Sequence, residues 1–139
     1  MQVHASCAAR DGWGVLLLGP PGSGKSDLAL RLLDRGFSLV ADDRVEIEDG
    51  VASPPPALAG LLEVRGLGIV RLAHLTSARL ALAVELAGQA ERLPQPLRHP
   101  VFDLPVITVD PHAASAARRV ALALDCALGR VAQQAGAFA

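Results

Sequence analysis

The sequence predicts an α/β domain, and three observations support this class. Residues 15–18 form a continuous apolar run between glycines, which is typical of a strand buried on both faces. From Ser26 onward, Leu28, Leu32 and Leu33 recur on one face of a predicted helix. Strand-like runs then follow this helical segment, and such alternation indicates an α/β fold.

The remaining elements follow from local signals. Gly36 lies where a helix C-cap residue belongs, so we expect the first helix to end there. Residues 52–60 contain three consecutive prolines and predict a loop with polyproline character. Residues 79–86 fit either a strand or a helix. Asp110 is the expected N-cap of a second helix, with Pro111 at its first position. The other predicted strands cover residues 37–41, 45–47, 61–64, 68–72 and 104–109.

Length and composition limit the function. The 139 residues predict a single domain over residues 1–139, and 51% apolar against 19% charged residues exclude general disorder. A net charge of −1 argues against a protein that coats nucleic acid. No apolar run approaches the roughly 20 residues that cross a bilayer, and no secretory signal begins the chain. Two cysteines, Cys7 and Cys126, give neither a disulfide framework nor a zinc spacing. We therefore expect a cytoplasmic domain without nucleic-acid or membrane partners.

The strongest motif is a phosphate-binding loop. Residues 19–26 match G-x-x-x-x-G-K-[ST] in full, between a predicted strand and a predicted helix. Glycines let backbone N–H groups converge on phosphate oxygens, and the helix that follows favours the same anion. Lys25 is the only lysine in a chain that otherwise uses arginine, and Ser26 suits Mg²⁺. We assign nucleotide binding to Gly19, Pro20, Pro21, Gly22, Ser23, Gly24, Lys25, Ser26 and Asp27.

Carboxylates further along the chain suggest catalysis. Asp42 and Asp43 follow an apolar strand, and ligands of open sheets lie beyond the carboxyl ends of strands. One aspartate could act as a base and the other could serve Mg²⁺, whereas the alternative is a solvated turn. Glu63 and Arg65 form either a same-face ion pair or a pair that serves Mg²⁺ and phosphate. The histidines, including His112, are assigned no role from the residues alone.

Taken together, these segments resemble the catalytic domain of HPr kinase/phosphorylase. The resemblance is carried by His4, residues 14–19, the Gly-x-Gly-Lys-Ser loop, residues 39–45 and the segment Glu-Val-Arg-Gly-Leu-Gly-Ile at 63–69. It is close over residues 2–75 and weak afterwards, and the length is similar to that of the short alphaproteobacterial forms. The family implies a phosphoenolpyruvate-carboxykinase-like P-loop fold, with a mixed sheet and flanking helices.

The resemblance also implies an activity and roles for single residues. The family phosphorylates a serine of HPr, a carrier of the phosphotransferase system, with ATP and Mg²⁺, and phosphate reverses the reaction to give pyrophosphate. Asp42 resembles the catalytic aspartate, which takes the serine proton. His4, Lys25 and Arg65 resemble the other catalytic residues. Ser26, Asp43 and Glu63 resemble the metal site, and the family implies a homo-oligomer, a hexamer.

This sequence departs from the family at two places. Residues 109–113 lack the arginine of the family's Pro-Gly-Arg-Asn-type loop, which helps the reverse reaction, and residues 73–100 are shortened. Two other functions remain open from the residues. One is a P-loop kinase of a small molecule that uses residues 94–105 as a lid. The other is a non-catalytic module that binds ATP and regulates a partner protein.

Overall fold

A mixed β-sheet forms the centre of the computed structural model, which describes residues 1–139. The helices are α1 (Lys25–Leu33) and α2 (Ala116–Ala127), and a short 3₁₀ helix covers Pro56–Leu58. The strands are β1 (Gln2–Val3), β2 (Ser6–Arg10), β3 (Trp13–Leu18), β4 (Ser38–Ala41), β5 (Val45–Glu48), β6 (Val51–Ser53), β7 (Leu61–Val64), β8 (Gly68–Arg71), β9 (Ala78–Leu86) and β10 (Val106–Val109).

Strand direction brings the loops of interest to one edge of the sheet. The strand order is β1-β5-β6-β9-β3-β2-β4, and β10 pairs with the second half of β9. β9 runs parallel to both β3 and β10, while β2 is antiparallel to both β3 and β4. The carboxyl ends of β4, β3, β9 and β10 therefore face the same way. This is the edge at which open α/β sheets bind their ligands.

The two faces of the sheet are covered differently. Both helices pack on one face, where a core of 17 buried residues includes Leu28, Leu82 and Leu124. The opposite face carries a second core of 13 buried residues, which contains strand and loop residues but no helical ones. β7 and β8 form a separate antiparallel hairpin outside the main sheet. The helices thus flank one face only, and strands and loops close the other.

The α/β class and the mixed sheet are confirmed. The segment at 79–86, left open by the sequence, is strand β9, and it is buried because its two faces contribute to the two cores. Cys7 and Cys126 are unpaired, and no helix has the length and apolar character needed to cross a bilayer.

Three features of the sequence prediction were wrong. Strands β1 and β2 were missed, since β2 is built from small residues with weak strand propensity. The predicted loop at 52–60 begins inside strand β6. The second helix starts at Ala116 rather than beside Asp110. The Asp110 carboxylate accepts a hydrogen bond from the backbone N–H of His112 at 2.9 Å, so it stabilises a turn instead of a helix.

The core on the helical face should carry much of the stability. Leu82 is fully buried there, so we expect Leu82→Ala to lower the free energy of unfolding by about 2–5 kcal/mol. Leu122 on α2 is 39% exposed, and we expect Leu122→Ala to change it by less than about 0.5 kcal/mol. Urea unfolding of both variants measures the difference, and equal losses would contradict this description of the core.

Candidate active site

The predicted phosphate-binding loop connects β3 to α1. Gly22 and Gly24 have φ values of 78° and 102°, a backbone region that other residues enter only with strain. The backbone N–H of Ser23 donates to the Pro20 carbonyl at 3.1 Å and closes a turn. Because α1 begins at Lys25, its first N–H groups have no partner within the helix and face the loop. The loop therefore forms a cradle that suits phosphate oxygens.

Lys25 folds back over this cradle. Its ammonium donates hydrogen bonds to the carbonyls of Gly19 and Pro20, at 2.6 and 3.0 Å, and the residue is only 7% exposed. Burial lowers the pKa of Lys25 below its ordinary value, and the charges of Asp42 and Asp43 oppose that shift. The side chain is thus a partly desolvated cation, held at the loop where a phosphate would bind.

Asp42 lies beneath the loop and is 6% exposed. Its Oδ1 accepts hydrogen bonds from the hydroxyls of Ser6 and Ser26, at 2.7 and 2.8 Å. Its Oδ2 accepts from the backbone N–H of Glu63 at 3.3 Å. This carboxylate consequently joins β2, α1 and β7, and neighbouring side chains shield it from solvent.

Asp43 is oriented differently from its neighbour. Its φ is 69°, which places the backbone in the left-handed region, and its side chain is 62% exposed. The Nδ1 of His4 lies 2.9 Å from the Asp43 carbonyl and 3.6 Å from its carboxylate. Since a carbonyl oxygen only accepts, this Nδ1 carries the hydrogen. His4 and Asp43 therefore form a fixed pair that is open to the cleft.

Glu63 and Arg65 lie on the hairpin side of the same cleft. Glu63 is exposed, whereas the neighbouring Leu62 is fully buried. No ion pair joins Glu63 to Arg65, so the simpler of the two interpretations left open by the sequence is not observed. Both side chains are free to contact a bound ligand.

The oxygen donors in the cleft fit Mg²⁺ only together with a nucleotide. Ser26, Asp43 and Glu63 all line the cleft, and Mg²⁺ prefers such oxygen ligands. No three acidic, histidine or cysteine side chains converge closely enough to hold a metal alone. Magnesium sites in nucleotide enzymes commonly use one or two carboxylates plus substrate phosphates. The residues present match that pattern.

One wall of the cleft was missed by the sequence analysis. Pro111 and His112, in the turn between β10 and α2, also line the cleft. Arg31 donates to the Pro111 carbonyl at 2.6 Å, and its Nε lies 3.0 Å from the Asp27 carboxylate. Asp110 and Pro111 resemble a helix start, which hid their contribution. The whole cleft has a volume of about 430 Å³.

Comparisons with known proteins agree with this geometry. Residues 1–87 match the model of the HPr serine kinase C-terminal domain, and this is more than half of the chain. The chain belongs to this family. The matched residues 1–87 include the phosphate-binding loop, Asp42, Asp43 and the β7–β8 hairpin.

Individual relatives extend the match. The chain is 39% identical over 134 residues to an HPr kinase/phosphorylase of Cupriavidus metallidurans, covering 84% of the chain and 41% of that protein. It is 41% identical over 102 residues to HPr kinase/phosphorylase 1 of Oceanobacillus iheyensis, covering 65% of the chain and 33% of that protein. This chain thus spans less than half the length of these curated relatives.

A solved structure supports the fold. The Hpr(Ser) kinase/phosphatase from Coxiella burnetii superposes with a TM-score of 0.68 at 26% identity, covering 94% of this chain and 89% of that one. The similarity therefore extends beyond residue 87, into β10 and α2. This agrees with the P-loop kinase fold expected from the sequence.

The lowered pKa of Lys25 can be measured directly, because the chain has no other lysine. We expect its ¹³Cε resonance to titrate below the ordinary value of 10.5. Asp43→Asn removes a charge that favours the ammonium, so the midpoint should fall further. Asp103→Asn alters an exposed carboxylate and should leave it unchanged. A midpoint at or above 10.5 would contradict the burial described for this ammonium.

Proposed function

We propose that this chain is a Mg·ATP-dependent protein serine kinase that phosphorylates an HPr-type carrier. The observation that carries the proposal is the difference in burial and contacts between the two aspartates at the phosphate-binding loop. Asp42 is buried against the Ser26 hydroxyl, and Asp43 opens into the cleft beside His4. The relatives named HPr kinase/phosphorylase support the substrate class.

The loop and Lys25 would bind the phosphates of ATP. The free N–H groups at the start of α1 and the Lys25 ammonium supply positive potential at one place. Bound Mg²⁺ would add charge neutralisation across the terminal phosphates. Ser26, backed by Asp42, and the exposed carboxylate of Glu63 would hold it, which leaves Asp43, placed at the metal site by the resemblance, to contact the acceptor.

We assign contact with the serine hydroxyl to Asp43, whereas the sequence resemblance had assigned it to Asp42. A group that accepts a proton from a substrate has to reach that substrate. The Asp42 carboxylate already accepts two hydroxyl hydrogen bonds and is 6% exposed, while the Asp43 side chain is 62% exposed in the cleft. His4 would position Asp43 through its carbonyl.

The transfer step then has a simple balance. The seryl oxygen forms a bond to the terminal phosphorus, its proton passes to the Asp43 carboxylate, and the bond from that phosphorus to the bridging oxygen breaks. ADP carries away the released electron pair. Catalysis of such a step depends mainly on positioning and charge stabilisation, which is what the cleft offers.

The rim of the cleft favours a protein acceptor over a small molecule. The β7–β8 hairpin exposes Leu67 in its turn and Ile69 in β8, and these two residues are 73% and 70% exposed. Exposed apolar side chains beside a site are typical of protein contacts. None of residues 94–105, the lid expected for a small-molecule kinase, lines this cleft. The expected homo-oligomer stays a prediction.

The direct test is transfer of label from [γ-³²P]ATP to a purified HPr-type carrier. We expect one labelled serine per carrier, no labelling without Mg²⁺, and no labelling of a carrier whose acceptor serine is alanine. In a second arm, excess phosphate added to the phosphorylated carrier tests for release of pyrophosphate. ATP binding without any transfer would instead support the regulatory module.

Substitution of Asp43 and substitution of Asp42 should reduce phosphate transfer in different ways. With Asp43→Asn, we expect transfer to fall by about 10²-fold or more at saturating Mg²⁺, since the proton acceptor is lost. With Asp42→Asn, we expect a higher Mg²⁺ requirement, so that part of the loss is recovered as Mg²⁺ is raised.

Initial rates across a Mg²⁺ titration separate these cases, with circular dichroism to confirm folding. Asp103→Asn is the matched control, because Asp103 is exposed and pairs with Arg98 on a separate loop. Full transfer by Asp43→Asn would overturn the assignment of the base.

A further inference from the structure

The order of strands gives the cleft two distinct ends. The phosphate-binding loop follows β3, Asp42 and Asp43 follow β4, and the turn with Pro111 and His112 follows β10. β4 lies on one side of β3, beyond β2, and β10 lies on the other side, beyond β9. At the shared edge, the phosphate-binding loop therefore lies between two ends of the cleft. The end that carries Asp42 and Asp43 is called the acidic end, and the end that carries Pro111 and His112 is called the β10 end.

This arrangement fixes the direction of a bound nucleotide. In-line transfer requires the acceptor oxygen and the leaving oxygen to lie on opposite sides of the terminal phosphorus. The acceptor enters at the acidic end, where Asp43 and His4 are open to the cleft. The rest of the nucleotide must leave the loop in the other direction, toward the turn that follows β10.

That turn is held rigidly against the phosphate-binding loop. Arg31 of α1 donates to the Pro111 carbonyl at 2.6 Å, and the Asp110 carboxylate accepts from the backbone N–H of His112 at 2.9 Å. A Cβ placed on Gly24 would lie 3.3 Å from the Pro111 Cβ, so the two loops are in direct contact. Pro111 is itself buried.

His112 differs from the other histidines of the chain in its surroundings. His112 is exposed and lines the cleft, and its imidazole makes no hydrogen bond or ion pair within the chain. The rings of His4, His74 and His99 all have such a partner. A rigid turn thus presents an aromatic ring with both nitrogens free at the β10 end of the cleft.

We infer that Pro111 and His112 form the nucleoside wall of the cleft, with the His112 ring stacking on the purine base. The inference rests on the proposed function, because it takes ATP as the ligand. A flat ring held by a pinned backbone loses little conformational freedom on binding, and base–aromatic stacking tolerates every purine. His112 is then a residue that positions the nucleotide by its base, separate from the groups that hold the phosphates.

The test compares ATP with tripolyphosphate, which carries the phosphates without the nucleoside. Dissociation constants are measured by calorimetry with Mg²⁺ for the wild type, His112→Ala and His112→Phe. We expect His112→Ala to bind ATP about tenfold more weakly and tripolyphosphate unchanged. His112→Phe keeps a ring and should bind ATP within about threefold of the wild type.

Ser115→Ala is the matched control, since Ser115 is exposed between this turn and α2 but does not line the cleft. Its side chain makes no capping hydrogen bond to α2, so the substitution should change neither affinity. Equal weakening of ATP and tripolyphosphate by His112→Ala would make His112 a phosphate contact and overturn the inference. Unchanged ATP affinity in His112→Ala, or a loss in His112→Phe as large as in His112→Ala, would also overturn it.

Failure of the inference is distinguishable from failure of the proposed function. Lys25→Ala should weaken both ATP and tripolyphosphate, because the ammonium serves the phosphates shared by the two ligands. If wild-type protein binds ATP and transfers phosphate while His112→Ala is unaffected, only the nucleoside wall is rejected. If the wild type binds neither ligand, the kinase proposal itself fails.

Discussion

The hydrogen bonds to the Asp42 carboxylate hold the site together. One oxygen accepts from Ser6 on β2 and from Ser26 on α1, and the other accepts from the backbone of β7. A buried carboxylate is tolerated only when such partners replace its lost hydration. The positions of the phosphate-binding loop, the acidic end and the hairpin are thereby tied to one group. Removing it would loosen three elements at once.

Local sequence predicted the parts of this site that depend on local rules. The phosphate-binding loop needs particular residues at particular spacings, so its motif was visible, and Asp42 and Asp43 followed from their place after a strand. Different roles for the two aspartates were predicted, but which of them is buried was not predictable, because it depends on Ser6, 36 residues away, and on the left-handed backbone of Asp43. Strand β2 was not predicted, because its small residues have weak strand propensity.

The wall formed by Pro111 and His112 shows another limit of prediction from a single sequence. Asp followed by Pro is a common helix start, and the sequence was interpreted in that way. The structure uses the same residues for a turn because the Arg31 guanidinium, from a helix 80 positions earlier, holds the Pro111 carbonyl. Contacts between distant segments decide such cases, and a single sequence does not reveal them. Helix α2, which begins later than expected, buries an apolar stripe that includes Ala117, Val120 and Leu124.

The single lysine limits the number of amines at which this chain can be acylated. Because Lys25 is the only ε-amine in the chain, and the N-terminal amine donates to the Ile47 carbonyl, acylating reagents meet few nucleophilic nitrogens. The lowered pKa of Lys25 leaves more of it uncharged than an ordinary lysine at mildly alkaline pH. Any acylation of this chain at lysine is therefore confined to the phosphate-binding loop, where the 7% exposure of Lys25 limits the access of a reagent.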